Sequence, residues 1–195
     1  MTRLVVKRES LGVNTRHTSP SYVDGNDEQV LVSSQRGLPT ASTLGASISE
    51  GTAFTTGYVY MNASKLANGA NFDIAIAFGG TTEASVDITG LCAGNAEGYL
   101  YEGATTSGGT ALPIINMNRN STNTGNGAAV HMPTVTATGT LIGNYLLMGG
   151  VKKKAAGGDS AAKSLILKPL TTYLLRMTNT SGSAQVAEIR VTWYE

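Results

Sequence analysis

The feature that most constrains this chain is the recurrence of short β-type runs, broken at intervals of roughly 8–12 residues by glycine, asparagine or proline. The clearest run is Phe72-Asp73-Ile74-Ala75-Ile76-Ala77-Phe78. Its period of two places Phe72, Ile74, Ile76 and Phe78 on one face of a strand. Val86 and Ile88 alternate in the same way within residues 84–91, and Gly79-Gly80 separates the two runs. Residues 29–33, 53–60, 97–103, 112–115, 131–138, 164–169, 171–179 and 185–194 are β-branched or aromatic enough to read as further strands. Val186, Ile189, Val191 and Trp193 break strict alternation near Glu188, which predicts a bulge there. No helix longer than two turns is expected; residues 63–66 form at most one short turn. Many strands without crossover helices predict antiparallel sheets. The expected fold is therefore all-β: an antiparallel β-sandwich, with a jelly roll as the first choice of wiring.

With 195 residues the chain can bury a core without disulfides or metals. Charged residues make up 14%, against about a quarter in an ordinary domain, and there are 24 glycines. A formal net charge of +1 argues against a free nucleic-acid binder. Cys92 is the single cysteine, so no intrachain disulfide forms. No apolar run approaches the roughly 20 residues that span a bilayer, and no signal peptide is legible at the N-terminus. The first 16 residues place Arg3, Lys7, Arg8 and Arg16 against Glu9 alone. The expected organisation is an extended arm over residues 1–33, a Ser/Thr/Gly-rich linker over 34–51 and a sandwich over 52–195.

Chemistry-bearing patterns are sparse. His17 and His131 are the two histidines, and no spaced His/Cys cluster accompanies them. No Gly-x-Ser-x-Gly elbow occurs. Asp24-Gly25-Asn26-Asp27-Glu28 is dense in oxygen ligands but lacks the alternate spacing and distant Glu of a calcium loop. Glu83, Asp87, Glu97 and Glu102 fall on strands or turns without an enclosing aromatic cleft, so no glycosidase pair stands out. Residues 103–109 are glycine-containing but precede no helix, so they are no phosphate cradle. The expectation is no enzyme, no catalytic residue, no metal and no cofactor. Lys152-Lys153-Lys154 reads as a solvated loop tip. The basic arm reads as a segment that orders against a partner, and protein is favoured over DNA because stacking aromatics are absent from it.

Several stretches, taken together and in order, resemble a group of tailed-phage virion proteins. They are His17-Thr18-Ser19-Pro20-Ser21-Tyr22-Val23-Asp24-Gly25, Asp27-Glu28-Gln29-Val30-Leu31-Val32-Ser33, Leu100-Tyr101-Glu102-Gly103, Asn118-Arg119-Asn120-Ser121 and Pro133-Thr134-Val135-Thr136. Leu165-Ile166-Leu167-Lys168, Tyr173-Leu174-Leu175-Arg176-Met177-Thr178-Asn179 and Trp193-Tyr194-Glu195 complete the set. The resemblance implies a capsid decoration, or cement, protein bound outside an assembled shell. On that footing the expected partners are the major capsid protein and further copies of the chain, as a trimer ahead of a dimer, with no nucleic acid and no membrane. The expected location is the exterior of the virion. Arg3, Lys7, Arg8 and Arg16 are the expected capsid-binding residues. The rival expectation is a tail or head-fibre module that binds a host receptor or glycan.

Overall fold

A computed structural model describes residues 21–23, 29–31, 43–81, 83–147 and 163–195. The chain divides into two compact units at Gly45/Ala46. In the first, β1 (Ser21–Val23) and β2 (Gln29–Leu31) pair antiparallel. A helix, α1 (Thr43–Glu50), runs through the boundary.

The described part of the second unit is built from thirteen strands. They are β3 (Ala53–Tyr60), β4 (Asn71–Phe78), β5 (Ala84–Cys92), β6 (Ala96–Glu102), β7 (Thr105–Ser107), β8 (Thr110–Leu112), β9 (Ile115–Asn116), β10 (Gly127–His131), β11 (Thr134–Ala137), β12 (Thr140–Leu147), β13 (Lys163–Leu167), β14 (Thr172–Asn179) and β15 (Ala187–Tyr194). One sheet has the order β12-β6-β14-β4-β10-β8 and the other β13-β5-β15-β3-β9; β7 and β11 form a small separate pair. Every pairing among these strands is antiparallel. The expected antiparallel β-sandwich is thus the observed architecture.

Alternation explains the sandwich. Phe72, Ile74, Ile76 and Phe78 of β4 face the same core as Leu100, Tyr173, Leu175 and Met177 of the neighbouring strands. The opposite sheet supplies Phe54, Val86, Ile88, Ile189, Val191 and Trp193. Each large side chain so buried stabilises the fold by roughly 1.5–3 kcal/mol. Trp193 packs edge-on to Phe78, with ring centres 5.7 Å apart, and against Phe54 at 5.9 Å.

Three local expectations need correction. The residues around Glu188 carry no bulge: β15 runs in unbroken register with β3 and β5, and Ala187, Ile189, Val191 and Trp193 alternate inward. The irregular spacing arose because Val186 precedes the strand. Residues 131–138 are two strands rather than one, broken where Met132 takes a left-handed φ of 50° before Pro133. The linker carries α1, and Gly51 ends it with φ 76° and an amide hydrogen bond to Ile48 O. That is a glycine C-cap, which needs no side chain and tolerates positive φ.

Candidate adhesion surface

The most chemically distinctive surface lies where β6 meets the edge strand β12. On β6, Ala96, Gly98 and Leu100 point to the core, so Glu97, Tyr99 and Tyr101 point outward. Antiparallel register sets Leu146 opposite Glu97, Asn144 opposite Tyr99 and Leu141 opposite Tyr101. On the other side of β6, β14 sets Thr178, Arg176 and Leu174 opposite the same three residues. Leu174 is fully buried, so the rows on the outer face present Tyr99 and Tyr101 among the apolar and amide side chains of β12 and the polar ones of β14.

Within these rows the polar groups hold the aromatic ones. Tyr99 donates its hydroxyl to Glu97 Oε2, and this bond raises the phenol's pKa first, with burial second. The rings of Tyr99 and Tyr101 lie at 27° to each other with centres 6.1 Å apart. Arg176 meets Asp73 of β4 in a two-pronged ion pair, Nε to Oδ1 and Nη2 to Oδ2, both 2.7 Å. That fork keeps the guanidinium protonated and fixed beside Tyr99. Glu97, Tyr99, Asn144, Tyr145 and Leu146 line a shallow hollow of about 360 Å³.

β12 itself is unusual for an edge. Its sequence, TLIGNYLL, contains no charged residue and no proline. Leu141, Ile142 and Leu146 are 49%, 43% and 64% exposed. Natural edge strands are ordinarily guarded by lysine, proline or a bulge. Here a bulge sets Leu141 opposite the outward Tyr101 and Gly143 opposite the inward Leu100, leaving Ile142 unpaired between them, and no charge accompanies it.

Two glycines anchor this edge from inside. Tyr145 pairs with Gly98 and points to the core. A Cβ at Gly98 would sit 2.0–2.6 Å from three Tyr145 ring atoms, and one at Gly90 would meet the ring and hydroxyl at 3.4 Å. The ring therefore lies directly over both backbones. Its hydroxyl is buried without a partner among the described residues, and burial pushes its pKa up to about 12.

The candidates read from the sequence are distributed differently. Arg3, Lys7, Arg8, Arg16, His17, residues 24–28 and residues 152–154 lie outside the described residues. His131 joins an aromatic cluster rather than any metal set. It stacks on Tyr58 with ring centres 3.7 Å apart, and its Nε2 lies 3.2 Å from Tyr60 Oη. Burial lowers its pKa and raises that of Tyr60. Glu102 accepts from Lys168 at 2.8 Å and from Tyr173 at 3.1 Å, tying two strand ends together. Of Glu83, Asp87, Glu97 and Glu102, Glu97 is the acid that reaches the outer hollow. Cys92 is a free, half-buried thiol. Among the described residues no group of three His, Cys, Asp or Glu is placed to hold a metal ion, and no helix is long and apolar enough to cross a membrane. The β12 edge was missed from sequence, although its uncharged run of Leu, Ile, Tyr and Leu was there to be read.

No family model, curated protein or solved structure matches the chain.

Proposed function

We propose that this chain is a non-enzymatic virion protein of a tailed phage that binds the outer capsid surface and stabilises the shell by bridging coat subunits. The observation that carries the reading is the outward-facing, half-buried Tyr99–Tyr101 pair beside the uncharged, exposed β12 edge. Tyrosine and arginine dominate the energetic centres of protein interfaces, and contiguous exposed apolar surface marks docking sites.

The wiring supports the same reading. Eight of the described strands pair as two antiparallel arms of one ribbon. β3 pairs β15, β4 pairs β14, β5 pairs β13 and β6 pairs β12. Successive members of each arm alternate between the sheets. We read this as a jelly roll, an architecture used by viral coat proteins and by lectins. The fold alone does not choose between those uses.

A shell under internal DNA pressure fails where subunits part. A rigid sandwich seated across such a seam adds buried area, about 1,200–2,000 Å² for an ordinary specific interface. Many copies multiply the effect. The arm, through Arg3, Lys7, Arg8 and Arg16, would hold acidic coat patches, and copies of the chain would associate symmetrically.

The test is occupancy on shells that lack the protein. Deleting residues 1–16, or replacing Tyr99 and Tyr101 with serine, is expected to reduce bound copies per shell. Undiminished occupancy in both variants would remove the proposal.

A second reading has one observation in its favour. Tyr99, Glu97 and Asn144 around the hollow also suit a sugar, which stacks on aromatic rings and bonds to carboxylates and amides. Labelled chain that binds host cells without virions, and is competed off by host polysaccharide, would establish that reading instead.

A further inference from the structure

We infer that two copies of this chain join through β12, edge to edge and antiparallel, about a two-fold axis at Asn144. This rests on the reading of the chain as an adhesion protein with itself as one partner, and it names where the copies meet.

The centre of the strand, residues 142–146, is complementary to itself. Reversed about Asn144, Ile142 falls opposite Leu146, Gly143 opposite Tyr145, and Asn144 opposite Asn144. Face follows the same symmetry. Asn144 and Leu146 point outward and Tyr145 inward, and alternation from Gly143, which pairs with the inward Leu100, puts Ile142 outward as well. Ile142 and Leu146, apolar and outward, thus meet each other across the seam; Leu141 falls opposite the buried Leu147, so the matched pairing runs from Ile142 to Leu146 only. Each inward tyrosine meets a glycine, the one neighbour that leaves it room. The central amides can bond to each other. Since the strand bears no charge, like meets like without repulsion.

The backbone supplies the remaining demand. β12 ends the order of the six-stranded sheet, and no described strand pairs with its outer side. An edge presents a row of free N–H and C=O groups, which an antiparallel copy satisfies. A foreign strand would satisfy them too, but nothing in a foreign strand requires the palindrome around Asn144. The isologous pair does, because each contact is made twice. Leu141 and Tyr101, beside the seam on the outer face, extend the apolar contact of both copies.

The experiment uses the full chain in solution. Sedimentation velocity at about 100 μM, far above the micromolar range of a modest interface, is expected to show a dimer. The double substitution Ile142→Lys and Leu146→Lys places four charges at the seam. It is expected to weaken dimerisation by roughly a hundredfold or more, enough to leave monomer. A second arm does not depend on that variant folding. In a Cys92→Ser background, Asn144→Cys is expected to give a covalent dimer on oxidation or with a short bis-maleimide. Directly opposed residues lie with Cβ atoms about 4.5–5.5 Å apart. Thr140→Cys is expected to give none, since eight residues of strand separate the two copies of that position, ~26 Å.

A monomeric wild type, an oligomer untouched by the lysines in a folded variant, or cross-linking at Thr140 but not at Asn144 would each overturn the inference. Shell occupancy measured in parallel separates the two proposals. A chain that occupies shells as a monomer loses the two-fold seam and keeps the shell reading. A dimer that ignores shells does the reverse.

Discussion

Replacing Gly98 with alanine tests whether the β12 edge is held as the structure shows. A Cβ there would lie 2.0 Å from Tyr145 Cε2, 2.2 Å from Cζ and 2.6 Å from Cδ2. Carbon atoms in contact settle at about 3.5–4.0 Å, so the ring must retreat by more than an ångström. It has little room to do so: its Cε2 and hydroxyl already lie near Gly90, itself close to Met177. Overpacking of this kind costs about 1–3 kcal/mol. Alanine in a strand is better than glycine by about 0.5–1 kcal/mol, which offsets part of that cost. The net expectation is a loss of about 1–2 kcal/mol in urea unfolding at unchanged m-value. Replacing Tyr145 with leucine removes the obstructing ring, so the double variant should lose less than the sum of the two single changes. The expected coupling is about 1 kcal/mol or more. Additive losses, or a Gly98→Ala chain as stable as the parent, would show that Tyr145 does not lie over Gly98 and that β12 is held differently.

Tyr145→Phe removes a buried hydroxyl that finds no partner among the described residues, so a gain of about 1 kcal/mol in unfolding free energy is expected rather than the usual loss. Asp73→Asn leaves the Arg176 guanidinium without its charge partner while its side chain remains 20% exposed, so the cost is about 1–2 kcal/mol, below that of a fully buried pair. His131 has a folded-state pKa below its ordinary value of 6.5 because burial disfavours the charged ring. The unfolded chain then binds the extra proton first as pH falls. Stability should decline from about pH 6.5 down through the folded pKa and level off below it. His131→Phe should flatten that part of the urea-midpoint profile, and an unchanged slope would assign it to another group.

Much of the sandwich was legible because its strands obey simple periodicity. Residues 53–60 coincide with β3, and the inward faces of β4 and β5 are those read from Phe72, Ile74, Ile76, Phe78, Val86 and Ile88. β5 is buried on one face, so pattern and burial agree there; β4 keeps its apolar alternation although Asp73 and Ala75 on its other face are buried too. The edge strand escaped for the opposite reason. In β12 an inserted bulge residue breaks the period, and apolar side chains occupy both faces, so alternation carries no signal. The two-strand break at Met132 depends on a left-handed φ that a methionine does not announce. Helix α1 is eight residues in a Ser/Thr/Gly-rich stretch, where intrinsic propensity is weak; only Leu44, Ile48 and the following Gly51 hinted at it. The outer tyrosine face could be predicted from alternation in β6, since Tyr99 and Tyr101 fall two apart. Its neighbours could not, because cross-strand register is set by distant residues on β12, β14 and β4.

The proposal that this molecule adheres to a phage shell is tested most directly by an image reconstruction of virions assembled with and without it. Sandwich-shaped density should sit on the capsid exterior, with β6 turned so that Tyr99 and Tyr101 touch coat subunits. Particles without such density, or density whose tyrosine face looks into solvent, would contradict it.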